Sequence, residues 1–323
     1  SPEHALVQPN NLYIVLSHIK CAAYELPFEE GERFGGLPDT AQYLEYLTEN
    51  NILRHVDGKY YWMEEELPSG EISLRSARTE NFVIIDITNP AHHRVVGEMD
   101  RFTVPMLLHE NAIYMHDARM FQVEKLDLAA CKAYIRAVDV DYYTDADLNV
   151  SLHILDDLEH KPLPCGGDVA LGELRVSTIV KMFKKFKLDT HESVGFGEVR
   201  LPQTDLHTVG VWGTLPDSLI RRYGNDALQG ALVGVANLLS IVAPLCLMCA
   251  PRDINVVYQV KAPITDKPTL FLYDTYPGGV GLSEKAYHMQ ELLLEHALDI
   301  ARSCGCESGC PSCVGPVSQV GEH

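Results

Sequence analysis

The sequence predicts an α+β chain in three units: helices followed by a hairpin over residues 1–70, a small β-rich, barrel-like unit over 71–149, and an α+β domain over 150–323 that ends in a four-cysteine cluster. Three observations carry this. Apolar residues recur at helical spacing early and then give way to an Asp-Gly pair between β-formers. Short, partly alternating segments follow. Helical and strand-like patterns then mix until four cysteines crowd into ten residues.

In the first unit Leu12, Val15, Leu16, Ile19 and Ala23 make one apolar stripe. A second helix is expected after Asp39, with Gln42 reaching back as in a capping box and Ala41, Leu44 and Leu47 facing the core. Residues 52–56 and 59–63 flank Asp57-Gly58, a strong hairpin signal because the turn needs positive φ. Helices followed at once by a hairpin predict a winged helix.

In the second unit strands are expected over 82–85, 94–99, 112–115, 120–125 and 132–140, with a turn at His116-Asp117-Ala118-Arg119. The acidic stretch 139–147 is expected to close it. In the third, strand-like segments over 150–211 break at Pro162, Pro164, Gly166-Gly167 and Gly195. A helix over 227–243 ends at Pro244, strands follow over 255–260 and 270–273, and a helix over 283–303 carries Ala286, Met289, Leu293 and Ala297 on one face.

A chain of 323 residues with 46% apolar side chains buries a real core. Its net charge of −19, from 26 basic and 45 acidic groups, excludes general adhesion to phosphate or anionic lipid. Nucleic-acid contact must be local. The polar start reads as no secretory leader, and Ser1-Pro2-Glu3 without an initiator methionine reads as a fragment. The apolar stretch 228–250 is broken by Gln229, Asn237, Ser240 and Pro244, so no membrane span is expected. Nine cysteines, an odd number, fit a reducing, cytoplasmic setting.

Cys304, Cys306, Cys310 and Cys313 follow the spacing C-x-C-x3-C-x2-C. Four thiolates this close can surround one ion, and soft sulfur at tetrahedral geometry favours structural Zn²⁺. An iron–sulfur cluster is the main rival; disulfides and unrelated thiols are the others. Gly305 and Gly309 permit tight turns. Cys246 and Cys249 have the spacing of half a zinc site but read first as small buried hydrophobes.

The glycine-rich turn around Gly278 and Gly279 joins a strand to a helix, and either contacts a nucleic-acid phosphate or serves as a packing turn, with Asp274 capping it or accepting amide N–H groups. Lys181, Lys184, Lys185 and Lys187 are interleaved with Met182, Phe183 and Phe186. That pattern suits either single-stranded nucleic acid or a solvated face over core aromatics. Arg75 and Arg78, after the hairpin, are candidate backbone contacts. There is no nucleotide P-loop, no D-E-x-x box, no H-E-x-x-H and no G-x-S-x-G, so no catalytic residue is assigned.

Several ordered motifs together resemble one family. They are the segments 18–28, 72–77, 97–102, 122–127 and 140–146, the Tyr276-Pro277-Gly278-Gly279 turn and the Cys-Glu-Ser-Gly-Cys-Pro-Ser-Cys cluster. Nearly the whole chain is similar to the region after the second RecA-like domain of MrfA/YprA-type superfamily 2 DNA helicases. The resemblance implies the accessory region of an ATP-dependent 3′–5′ DNA helicase linked to DNA repair, with a winged helix and a zinc-binding domain. It aligns Cys304, Cys306, Cys310 and Cys313 with the family's metal ligands. The implied partners are single-stranded or fork DNA and the RecA-like motor domains of the same protein, which would hold ATP and Mg²⁺. The implied place is the bacterial cytoplasm, at the nucleoid. The acidic balance favours a second possibility, a protein–protein docking module that never touches DNA.

Overall fold

The computed structural model describes residues 7–72, 81–163, 166–263, 265–307 and 309–315. Contacts divide the chain into two units. One comprises Ser1–Ala77, Ile154–Leu174 and His207–His323, and the other Arg78–His153 and Arg175–Leu206.

The first unit opens with the winged helix: α1 (Leu12–Glu25), β1 (Phe28–Glu29), α2 (Thr40–Glu49), β2 (Leu53–Val56) and β3 (Lys59–Trp62). The three strands form an antiparallel sheet in the order β1-β3-β2. Val15, Ile19 and Ala23 of α1 close on Leu44, Leu47, Leu53 and Phe28. Leu12, counted in the apolar stripe, is exposed, and so is Ala41 of α2. The hairpin turns through Asp57 at φ 52° and Gly58 at φ 73°, both left-handed, which matches the twist of the strands. The capping box expected at Asp39 does not form. Asp39 sits at φ −98°, ψ 20°, outside the extended conformation a capping residue adopts, so only its backbone carbonyl serves Gln42 N–H, at 3.0 Å. Thr40 takes over locally: its hydroxyl accepts from Phe34 N–H and donates to the Leu37 carbonyl.

The second unit holds β4 (Asn81–Asp86), β5 (Arg94–Asp100), α3 (Val104–Leu107), β6 (Ile113–His116), β7 (Arg119–Asp127) and β8 (Lys132–Ala137). They make an open five-stranded sheet, a half-barrel, in the order β5-β4-β8-β7-β6; β4 and β8 run parallel and the other neighbours antiparallel. Phe82, Ile84, Phe121, Val123, Ala133 and Ile135 fill its core. The acidic stretch does not end the unit. It enters β9 (Tyr142–Pro162), where Asp145 and Asp147 alternate outward while Tyr142, Tyr143 and Thr144 supply β-formers.

β9 and β10 (Asp168–Lys187) each contribute to both units, so the boundary expected at 149–150 falls inside β9. Gly195, expected to break a strand, lies within β11 (Ser193–Glu198). The first unit then resumes with β12 (Thr204–Thr214), α4 (Asp217–Tyr223), α5 (Asn225–Leu247), β13 (Ile254–Gln259), β14 (Thr269–Asp274) and α6 (Leu282–Ser303). The sheet path is β11-β10-β12-β14-β13, with β9 on β10.

Leu238, Val242, Ala243 and Leu247 of α5 and Ala286, Leu293 and Ala297 of α6 pack on Val169, Leu171, Val209 and Val211 of the sheet. Pro244 does not end α5. A proline so near a helix end forfeits only one reach-back bond, and the turn past it closes with Cys249 N–H on the Pro244 carbonyl at 3.1 Å. Met248, at φ 60°, ends the helix. The stretch Ala227–Leu247 is apolar and long enough to cross a membrane, with mean hydropathy 2.1, but 56% of its window is buried inside the protein, as in a core helix.

Candidate metal centre

α6 delivers the chain directly into the cysteine cluster. The Cys304 amide still reaches back to the Ile300 carbonyl at 3.1 Å, so the first thiol emerges where the helix stops. Past Cys306, the Cys310 carbonyl accepts from the N–H groups of Cys313, Val314 and Gly315, winding the chain tightly enough to bring two thiols together. Gly309 has φ 93°, and a Cβ there would lie 2.6 Å from Val314 Cγ2. Asn237 of α5 donates its amide to the Val314 carbonyl at 2.9 Å, which seats the cluster on the core.

All four Sγ atoms lie within 4.8 Å of one another. Cys304–Cys310, Cys306–Cys313 and Cys310–Cys313 are each 3.6 Å apart. A disulfide needs about 2.05 Å, whereas sulfurs about 2.3 Å from one tetrahedral ion lie about 3.8 Å apart. The set therefore fits a single ion, not bridges, and not a cluster that spreads its ligands over several irons.

The electrostatics agree. The Cys310 N–H points at Cys313 Sγ from 3.2 Å and draws that thiol down to about 7, favouring the thiolate a metal binds. Cys306 is pushed up to about 12, because its proton is shared first with Cys304 and then with Cys313. Four sulfurs this close do not all ionise without a cation to balance them. With sulfur at every corner, no position is open for water, so the ion is structural.

Cys246 and Cys249 stand apart from this group. Cys246 Sγ is 3.4 Å from His296 Nδ1, and both cysteines pack at the edge of the main core. Burial pushes the Cys249 thiol up, as expected of a packed, unreactive thiol. Among the described residues the four-cysteine cluster is the one group placed to hold a metal. His109 is a core histidine, fully buried; its Nδ1 carries the proton to the Glu110 carbonyl at 3.0 Å, and its ring lies 4.7 Å from that of Phe183.

The glycine turn is packed from within. Buried Asp274 accepts from the amides of Val280, Leu282 and Ser283 and from the Ser283 hydroxyl. The amides at the start of α6 are thus already engaged. Burial pushes the Asp274 carboxyl up, against these four bonds. A Cβ on Gly278 would lie 2.9 Å from Asn11 Nδ2, and one on Gly279 would lie 3.0 Å from Val209 Cβ. Asn11, which carries no signal in the sequence beyond its place before a helix, caps α1 through Oδ1 and donates Nδ2 to the Pro277 and Gly279 carbonyls.

Lys181, Lys184 and Lys187 are exposed on β10, and the Lys185 ammonium sits 4.8 Å from the Tyr142 ring centre. Phe183 is buried, while Phe186 stacks on Tyr143. Arg75 and Arg78 lie outside the described residues.

Residues 7–77 match the winged helix domain of the ATP-dependent helicase HRQ1 family, and residues 235–314 match the MrfA Zn-binding domain. The chain is 42% identical to the ATP-dependent helicase YprA of Bacillus subtilis (strain 168), over 98% of its own length and 42% of that relative's. It is similar to the crystal structure of the DUF1998 helicase MrfA bound to DNA, with 43% identity, TM-score 0.58, and 98% of this chain against 42% of that one. To a further crystal structure of the DUF1998 helicase MrfA the identity is 38% and the TM-score 0.70, covering 97% and 44% of the two chains. The chain therefore spans about two fifths of the length of the relatives it matches.

Proposed function

We propose, from the premise that this chain is homologous to the YprA and MrfA helicases and carries both an HRQ1-type winged helix and an MrfA zinc-binding domain, that it is the DNA-engaging accessory region of an ATP-dependent helicase. One observation carries the reading: 98% of the chain is similar to a helicase captured on DNA. The zinc cross-links the segment after α6 on itself, and Asn237 holds that segment on α5, which together keep that wall rigid, leaving ATP and Mg²⁺ to RecA-like motor domains. The winged helix guides or separates the duplex, and single-stranded or fork DNA is the substrate. Unwinding runs 3′–5′ in the service of DNA repair, in the bacterial cytoplasm at the nucleoid.

The net charge of −19 favours the second reading, a docking module without DNA contact. Fluorescence anisotropy with a labelled single-stranded oligonucleotide separates the two. DNA engagement requires binding that weakens steeply with salt, with a log–log slope of about −0.7 for each phosphate neutralised. No binding at low salt leaves the docking module. Strand polarity is tested by joining the chain to motor domains and comparing duplexes with 3′ and 5′ tails.

A further inference from the structure

We infer that Phe196 and Lys184 form a base-stacking site for single-stranded nucleic acid on the β10–β11 hairpin, an inference that rests on the DNA reading above and locates it. Phe196 is 74% exposed, and β11 ends its sheet path. The hairpin's own packing puts it there. On one face Phe183 lies across Gly197, where a Cβ would come within 2.5 Å of the ring, so only glycine lets the buried phenylalanine sit flat. That fixes the register and turns Phe196, one residue away, to the opposite face. There it pairs directly with Lys184 across the strands.

The surroundings select the ligand. Residues 175–200 carry six basic side chains against three acidic ones, within a chain of net charge −19. Lys184 shares the face of Phe196, while Lys181, equally exposed, lies on the other face of β10 by the same alternation. Of the three acids, Glu198 is engaged by Arg200 at 3.2 Å. An exposed ring with the Lys184 cation on its own face offers a base a stacking face and a phosphate a counter-charge. Bases in a duplex have no free faces, so the site takes unpaired strands. No base-edge reader is needed, and the contact tolerates any sequence.

The test uses the whole chain and two labelled oligomers of equal length, an oligothymidylate and an abasic deoxyribose-phosphate strand. Phe196→Ala is expected to weaken oligothymidylate binding about tenfold and leave the abasic strand unchanged. Lys184→Ala should weaken both and flatten the salt dependence. The emission of Phe196→Trp should be quenched by oligothymidylate alone, beyond any change seen in the unsubstituted chain. Three outcomes would overturn this site and leave the DNA reading standing: oligothymidylate binding that survives Phe196→Ala, equal losses on both strands, or a Phe196→Trp emission that oligothymidylate does not quench. An unsubstituted chain that binds neither strand would overturn that reading, and the site with it.

Discussion

His109 shows how one buried group sets acid sensitivity. Burial lowers its pKa below the ordinary 6.5, and the bond to the Glu110 carbonyl only partly opposes this; Nε2 has no partner among the described residues. Folded His109 stays neutral while its unfolded counterpart takes up a proton at about 6.5. The unfolded state therefore binds more protons below that pH. Stability falls from about pH 6.5 down to the folded pKa and is unaffected by this group above that window. Melting curves between about pH 7.5 and 5, values chosen to bracket that window, should show His109→Leu losing less stability on acidification than the unsubstituted chain. A difference that does not change with pH would contradict this. The sequence showed fourteen histidines and no way to rank them, because burial at this site depends on Phe183, 74 residues further on.

At the scale of elements, helices and hairpins were legible because each rests on neighbours in sequence. α1, α2, α6 and the Asp57-Gly58 hairpin stand where periodicity and turn chemistry put them. The four ligands of the metal centre were legible too, since ten residues contain them all. What stayed hidden depends on distant partners. Asn11 is an ordinary cap by sequence, and its grip on the Pro277 and Gly279 carbonyls appears only in three dimensions. Phe196 is one aromatic among many until Phe183 is seen to occupy the space over Gly197. Asp274 was legible as a cap or an acceptor of amide N–H groups, but not the Ser283 hydroxyl that joins the three amides on it. Replacing it strands those donors, so Asp274→Ala should cost about 3 kcal/mol or more in urea unfolding. Asp274→Asn should cost less, because it keeps one acceptor oxygen. Equal stability of Asp274→Ala and the parent would show that the turn is held by other contacts.

At the scale of the whole molecule, the metal centre belongs to one unit and the half-barrel sheet to the other. Cys310→Ser should bring zinc from about one ion per chain to near none and lower the melting temperature together. Hydrogen exchange should then quicken first in the segment after α6 and along α5 where Asn237 holds it, while the β4–β8 core keeps its protection. Full metal occupancy in that variant, or uniform loss of protection, would contradict the assignment.

The bond from Asn11 to the Gly279 carbonyl spans 268 positions of chain. On a ribosome the winged helix can collapse early, since its own core is local. Its anchorage waits until Gly279 emerges. The half-barrel unit, complete by residue 206, has all its parts much sooner. Synthesis therefore imposes an order of assembly: the half-barrel matures first, and the two segments that flank it are joined last, at the entropic cost of closing a very long loop.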